Sequence, residues 1–385
     1  MRALIHSLVN LVCLVSRGLL SEIRARLKGY EERAAAEFAS ALIYLHDDLA
    51  SIGQRVSQRL NRDESPARIL VVKLDRLGDM VNVTPTIRAT REKWPNAEID
   101  VVAHPSCLTI IENLKDISSC YAYSSSLYYG GAPNPFSPRK WSTLIALWAR
   151  RYDRVLYSRG SFLFLTHTLL CRPHATKYLP EEPTVLRNLK MLDADMTLDD
   201  VGPLYLPVNH GMVTRWSDGG SFKVAIHATA STLTKAWPAE RFAGLAERFA
   251  VAGASVTFLG APNERQYLES LVALCAENHL VAVDLGLQGV VEQIRSADVF
   301  IGNDSGLDHI AVACGTRSVV VWGPTHSGAN RPHLEAGKLA VHSHDLSCRA
   351  SCVEYRCHND RKVECLLRTS VEEVFDSANQ LLAAS

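Results

Sequence analysis

Three short stretches hold residues able to move a proton and to neutralise a charged leaving group. The first runs Lys73-Leu74-Asp75-Arg76-Leu77-Gly78-Asp79, with Thr84-Pro85 close behind. A glycine allows a tight turn from strand into helix, and the acid beside it either projects from the helix start into a cleft or caps its own helix. The second runs from His227-Ala228-Thr229 through Ser231, Thr232 and Thr234 to Lys235-Ala236-Trp237-Pro238. Its hydroxyls and lysine suit a phosphate group, the alternative being a solvated turn. The third is Gly302-Asn303-Asp304-Ser305-Gly306-Leu307-Asp308-His309. It opens a helix, so amides near Ser305 to Leu307 would turn a positive end towards a diphosphate, with Asp304 and His309 lining the same pocket.

Such residues have to be carried by strand ends, and the chain supplies them. After Pro66, Ile69 to Leu74 reads as a buried strand, Met80 to Trp94 as a helix and Ile99 to Ala103 as a strand. A Ser-, Tyr-, Gly- and Pro-rich loop from Tyr123 to Pro138 precedes a helix over Trp141 to Arg150 and a strand over Arg154 to Tyr157. Irregular sequence from Leu204 to Gly220 divides this half from the next. There, strands are expected over Lys223 to Ala228, Ser255 to Leu259, Ala282 to Leu285, Val299 to Gly302 and Ser318 to Trp322. Helices fall over Ala239 to Val251, Glu264 to Ala276 and Leu307 to Cys314. The rhythm predicts an α/β protein of two Rossmann-like domains facing a cleft at the carboxyl ends of their strands. The expected division is residues 1–65, a helical extension; 66–215, the first domain; and 216–385, the second.

The extension has a different texture. Leu4, Leu8, Leu11, Val12, Val15, Leu19 and Leu20 recur at helical spacing, followed by Arg17, Arg24, Arg26 and Lys28. It is either an appendage packed on the body or another subunit, or an interfacial helix making peripheral contact with the anionic inner membrane. Over 385 residues, 41 Lys+Arg balance 41 Asp+Glu, which excludes a nucleic-acid-coating protein and requires any anion to be met locally. The apolar run from Ala3 to Val15 is not followed by a small-x-small cleavage site, so the expected location is the cytoplasm. Of ten cysteines, Cys13, Cys107, Cys120, Cys171, Cys275 and Cys314 are scattered among apolar neighbours as small core residues. Cys348, Cys352, Cys357 and Cys365 fall in one stretch near His342, His344 and His358. They form a candidate structural zinc or iron site, the alternatives being two local disulfides or unligated thiols.

Taken together, the Lys73 to Asp79 stretch, the His227 to Pro238 stretch, Asn303-Asp304-Ser305-Gly306-Leu307-Asp308-His309 and Trp322-Gly323-Pro324-Thr325 resemble the heptosyltransferases of glycosyltransferase family 9 in order and spacing, over about residues 67 to 330. The resemblance implies the GT-B fold and inverting transfer of heptose from ADP-heptose to a lipopolysaccharide core or related surface-glycan acceptor. It makes Asp79 the general base. Lys235 and Thr229 would meet the donor's diphosphate and nucleotide, together with the Ser305, Gly306 and Leu307 turn. Asp304 would bind sugar hydroxyls, with His309 beside it. No cofactor is then required for catalysis. Some members carry a comparable late cysteine cluster, and related autotransporter heptosyltransferases bind iron through cysteines. Three departures stand out: Asn82 replaces a frequent His, Ser305 a frequent Thr, and the Thr229 to Lys235 loop differs by one residue. A non-catalytic nucleotide-sugar-binding subunit and a heptosyltransferase with a protein acceptor are the alternatives.

Overall fold

The computed structural model describes residues 65–123, 138–157, 173–175, 182–207, 222–325, 327–332, 339–344, 346–348, 357, 359 and 361–384. The helical extension, most of the Tyr123 to Pro138 loop, Cys13, Cys171, Cys352 and His358 lie outside these residues.

The first sheet is five-stranded and parallel, in the order β3-β2-β1-β4-β5. Its strands are β1 (Arg68–Lys73), β2 (Glu98–Ala103), β3 (Ser119–Ala122), β4 (Arg154–Tyr157) and β5 (Pro173–Ala175). The second is six-stranded and parallel, in the order β11-β10-β9-β6-β7-β8. It is built from β6 (Lys223–His227), β7 (Ser255–Leu259), β8 (Leu280–Ala282), β9 (Val299–Asn303), β10 (Arg317–Trp322) and β11 (Leu339–Ser343). β1 and β9 are buried almost throughout, which is why they read as unbroken apolar runs: helices cover both faces of a parallel sheet. In each sheet the chain leaves a central strand to one side and later returns to its other side. The switch points fall between β1 and β4 and between β6 and β9, where such sheets place ligands.

Single turns aside, the helices are α1 (Leu77–Val81), α2 (Thr84–Lys93), α3 (Pro138–Arg150), α4 (Thr184–Leu189), α5 (Ala239–Val251), α6 (Arg265–Val272), α7 (Gly286–Ser296), α8 (Gly306–Ala313) and α9 (Val371–Ala383). The expected single helix from Met80 to Trp94 is therefore two. Pro85 has no N–H to continue the helix but suits a helix start, and the Thr84 hydroxyl donates to the Val81 carbonyl across the break at 2.8 Å. β8 ends at Ala282, earlier than expected, because the chain turns at Gly286, with φ +62°, to open α7. The edge strands β3, β5 and β11, α4, and the capped helix α9 were not apparent in the sequence pattern.

One apolar core runs from Ile69, Val71, Ile99 and Val101 of the first lobe to Phe300, Ile310 and Ala311 of the second, so the lobes share a packed contact. A second core gathers Trp237, Phe242, Phe249 and Phe258 beneath α9 residues Val374 and Ala378. Cys107 is a buried core residue as expected, whereas Cys120, Cys275 and Cys314 are only half-buried. Among the described residues, no helix is long and apolar enough to cross a membrane.

Candidate active site

The first lobe contributes the turn from β1 into α1. Within it, Lys73 Nζ and Asp75 Oδ2 form a buried ion pair at 2.7 Å, which fixes the strand end. Arg76 takes the N-cap position without a side-chain cap, and Asp79 is the third helical residue. Asp79 therefore does not cap its helix. It is half-buried and, among the described residues, its carboxylate makes no hydrogen bond or ion pair. Gly78 has no room for a side chain: a Cβ there would stand 2.6 Å from His309 Cδ2. A Cβ on Gly306 would likewise stand 3.2 Å from the Gly78 nitrogen, so the starts of α1 and α8 meet almost backbone to backbone.

The second lobe contributes the ends of β6 and β9, its switch point. Asn303, the last residue of β9, is fully buried. Its Oδ1 accepts from the Trp237 amide at 2.9 Å, and its Nδ2 donates to the carbonyls of Ala228 and Thr229 at 3.2 and 3.1 Å. This one side chain thus ties the His227 to Trp237 loop to the neighbouring strand. The loop delivers Lys235, whose Nζ pairs with Asp304 Oδ2 at 2.9 Å in a nearly dry position, each side chain 9% exposed. The Thr325 hydroxyl donates to the same Asp304 oxygen. The sequence reading gave Lys235 to phosphate and Asp304 to sugar; the fold joins them as one charged unit.

Ser305 has an extended backbone and caps α8, its Oγ accepting from the Leu307 amide at 3.3 Å. It also bonds to His227 Nδ1 at 3.1 Å, while His227 Nε2 bonds to the Thr229 hydroxyl at 2.8 Å. Burial lowers the His227 pKa to about 4, so the ring is neutral near pH 7 and links the two turns by donating from one nitrogen and accepting at the other. His309 is also lowered to about 4, chiefly by burial and against the opposing charges of Asp79 and Asp304, with Lys235 adding to the depression. Its Nδ1 lies 3.0 Å from Asn82 Oδ1. A carboxamide oxygen only accepts, so Nδ1 carries the proton and Nε2 presents a lone pair. Asp308 is fully buried, and burial first, then the Asp304 charge, raises it well above the ordinary carboxylate range.

Asp79, Thr229, Lys235, Asp304, Ser305, Gly306, Leu307 and His309 are thus gathered where the two switch points face each other. His227, Asn303, Thr325 and Asn82 belong to the same constellation and had no assigned role in the sequence reading. A histidine or asparagine ending a buried strand is the signal that was available for the first two. In the late cysteine stretch, Cys348 Sγ accepts from Asn359 Nδ2 at 3.4 Å and Cys357 Sγ from the Val363 amide at 3.3 Å. Among the described residues, Cys348, Cys357 and Cys365 form no disulfide.

Two Rossmann-like sheets with facing switch points, and a phosphate-type helix start opposite a half-buried carboxylate, define a GT-B glycosyltransferase. The chain belongs to glycosyltransferase family 9, the heptosyltransferases, whose family model matches residues 167–362. It is 23% identical to lipopolysaccharide heptosyltransferase 1 of Escherichia coli over 301 residues, covering 68% of this chain and 87% of that one. Among solved structures it is similar to a family 9 glycosyltransferase from Veillonella parvula, with TM-score 0.68 and 18% identity over 84% of this chain and 99% of that one. It is also similar to E. coli ADP-heptose lipopolysaccharide heptosyltransferase II, with TM-score 0.64 and 19% identity over 82% and 99% of the two chains.

Proposed function

We propose that the enzyme transfers heptose from ADP-heptose to a lipopolysaccharide-core or related surface-glycan acceptor, with inversion at the anomeric carbon. The observation that carries this reading is Asp79, a carboxylate that does not cap its helix and, among the described residues, pairs with no cation. The acceptor hydroxyl gives its proton to Asp79 as its oxygen bonds to the anomeric carbon, and the bond from that carbon to the phosphate oxygen breaks on the opposite face. ADP leaves with the bonding pair. Lys235 and the start of α8 meet the charge that develops on the diphosphate, and Thr229 and Ser305 lie beside them. Asp304, held between Lys235 and Thr325, binds sugar hydroxyls, and neutral His309 offers its Nε2 lone pair to a hydroxyl hydrogen. ADP release is the assay. Asp79→Asn is expected to lose between about 10² and 10⁴ in kcat with ADP-heptose binding retained, and a loss below tenfold removes Asp79 as the base.

The same reading gives Cys348, Cys352, Cys357 and Cys365 as the residues that would hold a structural zinc or iron, supported by the N–H donors on two of the sulfurs. It places the enzyme in the cytoplasm, with peripheral membrane contact assigned to residues 1–65. Flotation of the full chain with anionic vesicles, against a chain lacking those residues, tests the contact: equal recovery of both dismisses it.

A further inference from the structure

At the edge of the second sheet opposite the active site, Glu247, Cys275 and His279 bring a carboxylate oxygen, a thiol and an imidazole nitrogen within 4.8 Å of one another. α5 descends from the carboxyl ends of the strands, so Glu247, in its later turns, lies near the amino-terminal edge. Cys275 follows the end of α6 and His279 immediately precedes β8 at that same edge. The position is remote from the chemistry by topology.

His279 is 9% exposed, and its Nε2 is buried without a hydrogen-bond partner among the described residues. Glu247 Oε1 stands 3.5 Å from it, long for a charge-assisted hydrogen bond. Two ligands about 2.0–2.1 Å from a tetrahedral zinc ion are separated by about 3.4 Å, so this spacing matches one edge of a coordination tetrahedron. The carboxylate is already aimed, because Glu247 Oε1 accepts from the Glu277 amide at 3.1 Å. Phe258 meets the His279 ring edge-on at a centroid distance of 6.1 Å and fixes its plane. The Cys275 thiol makes only long contacts to the carbonyls of Ala243 and Leu271 among the described residues' hydrogen bonds, at 3.9 and 3.8 Å.

We infer that Glu247, Cys275 and His279 form a structural zinc site that clamps α5 to the connection between α6 and β8. A thiolate, an imidazole and a carboxylate are a borderline-soft set that suits zinc better than magnesium or calcium. Cys275 and His279, four residues apart, chelate from one segment, and Glu247 closes the ring from another. Glu247 and Cys275 are half-buried, which leaves a side open for water as the fourth ligand. On binding, the Cys275 S–H bond breaks, sulfur bonds zinc and the proton goes to solvent.

The test uses the full chain, stripped with chelator and titrated with zinc against a colorimetric competitor. The count is taken as a difference, so metal held by the late cysteine stretch cancels. Wild type is expected to bind one more equivalent than Cys275→Ser, and Glu247→Gln, a half-exposed change that leaves the fold intact, to weaken that equivalent at least tenfold. In cobalt-loaded protein, thiolate-to-cobalt absorption should be smaller in Cys275→Ser than in wild type. Equal zinc counts and affinities in wild type and Glu247→Gln, or no zinc uptake by wild type, overturn the site whether or not Cys275→Ser folds.

Discussion

The two buried histidines make acid sensitivity a measurable consequence of the active-site packing. His227 and His309 each have a folded pKa of about 4 against an ordinary value of 6.5. A depressed histidine binds fewer protons folded than unfolded, so its contribution to stability is intact above pH 6.5 and is lost as pH falls towards 4. Between pH 7 and pH 5 the loss is about 2 kcal/mol for each ring, from 1.36 kcal/mol per unit of pKa difference sampled over that interval. Asp308 acts in the opposite direction. Its raised pKa means that the folded state retains a proton the unfolded chain releases, so acidification relieves a penalty present at neutral pH. Comparing slopes separates these effects. Urea unfolding of wild type and His309→Gln at both pH values gives two stability losses, and the direct packing effect of the substitution cancels in their difference. The variant should lose about 2 kcal/mol less than wild type on going from pH 7 to pH 5, and His227→Gln should behave alike. Losses within about 0.5 kcal/mol of wild type in both variants would show that neither ring is held neutral by burial, which would refute the proton placement on His309 Nδ1 as well.

Lys235→Met leaves Asp304 buried without its cation and should cost about 3–5 kcal/mol of stability by chemical denaturation while weakening ADP-heptose binding; Asp304→Asn, which keeps hydrogen-bonding capacity, should cost less. Gly78→Ala places a methyl 2.6 Å from His309 Cδ2, and overpacking of this kind costs about 1–3 kcal/mol. His309 must then swing from Asn82, so kcat should fall together with Tm, and a variant as stable and active as wild type contradicts the close approach of α1 and α8. Asp308→Asn removes a carboxyl whose pKa burial raises, and should diminish the benefit of acidification, read as a more negative change in Tm from pH 7 to pH 5 than in wild type.

The legible parts of this fold are those where local pattern and global position coincide. β1, β6 and β9 announce themselves because strands covered on both faces are apolar throughout, and the residues just beyond them, Asp79, Thr229, Lys235 and Asp304, are at the cleft by topology alone. The edge strand β5 has three residues and shows no such run. What could not be read are roles created by a distant partner. His227 acquires its role from Ser305, 78 residues later, and Asn82 from His309, 227 residues later. In each case the partner is chosen by the packing of helices rather than by any spacing along the chain. The same holds for Cys275, which reads as a small core residue until α5 brings Glu247 beside it.

Charge balance in the chain acquires a local counterpart in the site. Lys235 is not a bare cation awaiting phosphate, because Asp304 already shares it in a nearly dry position. A diphosphate arriving there must compete with, or bridge to, an existing carboxylate, so a large part of its attraction to Lys235 is offset by repulsion from Asp304. The start of α8 offers amide N–H groups rather than a paired cation: Asp304 and Asp308 flank its cap Ser305, and His227 and His309 beside it are neutral at pH 7. In the proposed mechanism the amide dipoles of that helix start therefore complement Lys235 in meeting the diphosphate, while the paired Lys235 and Asp304 orient the sugar relative to Asp79.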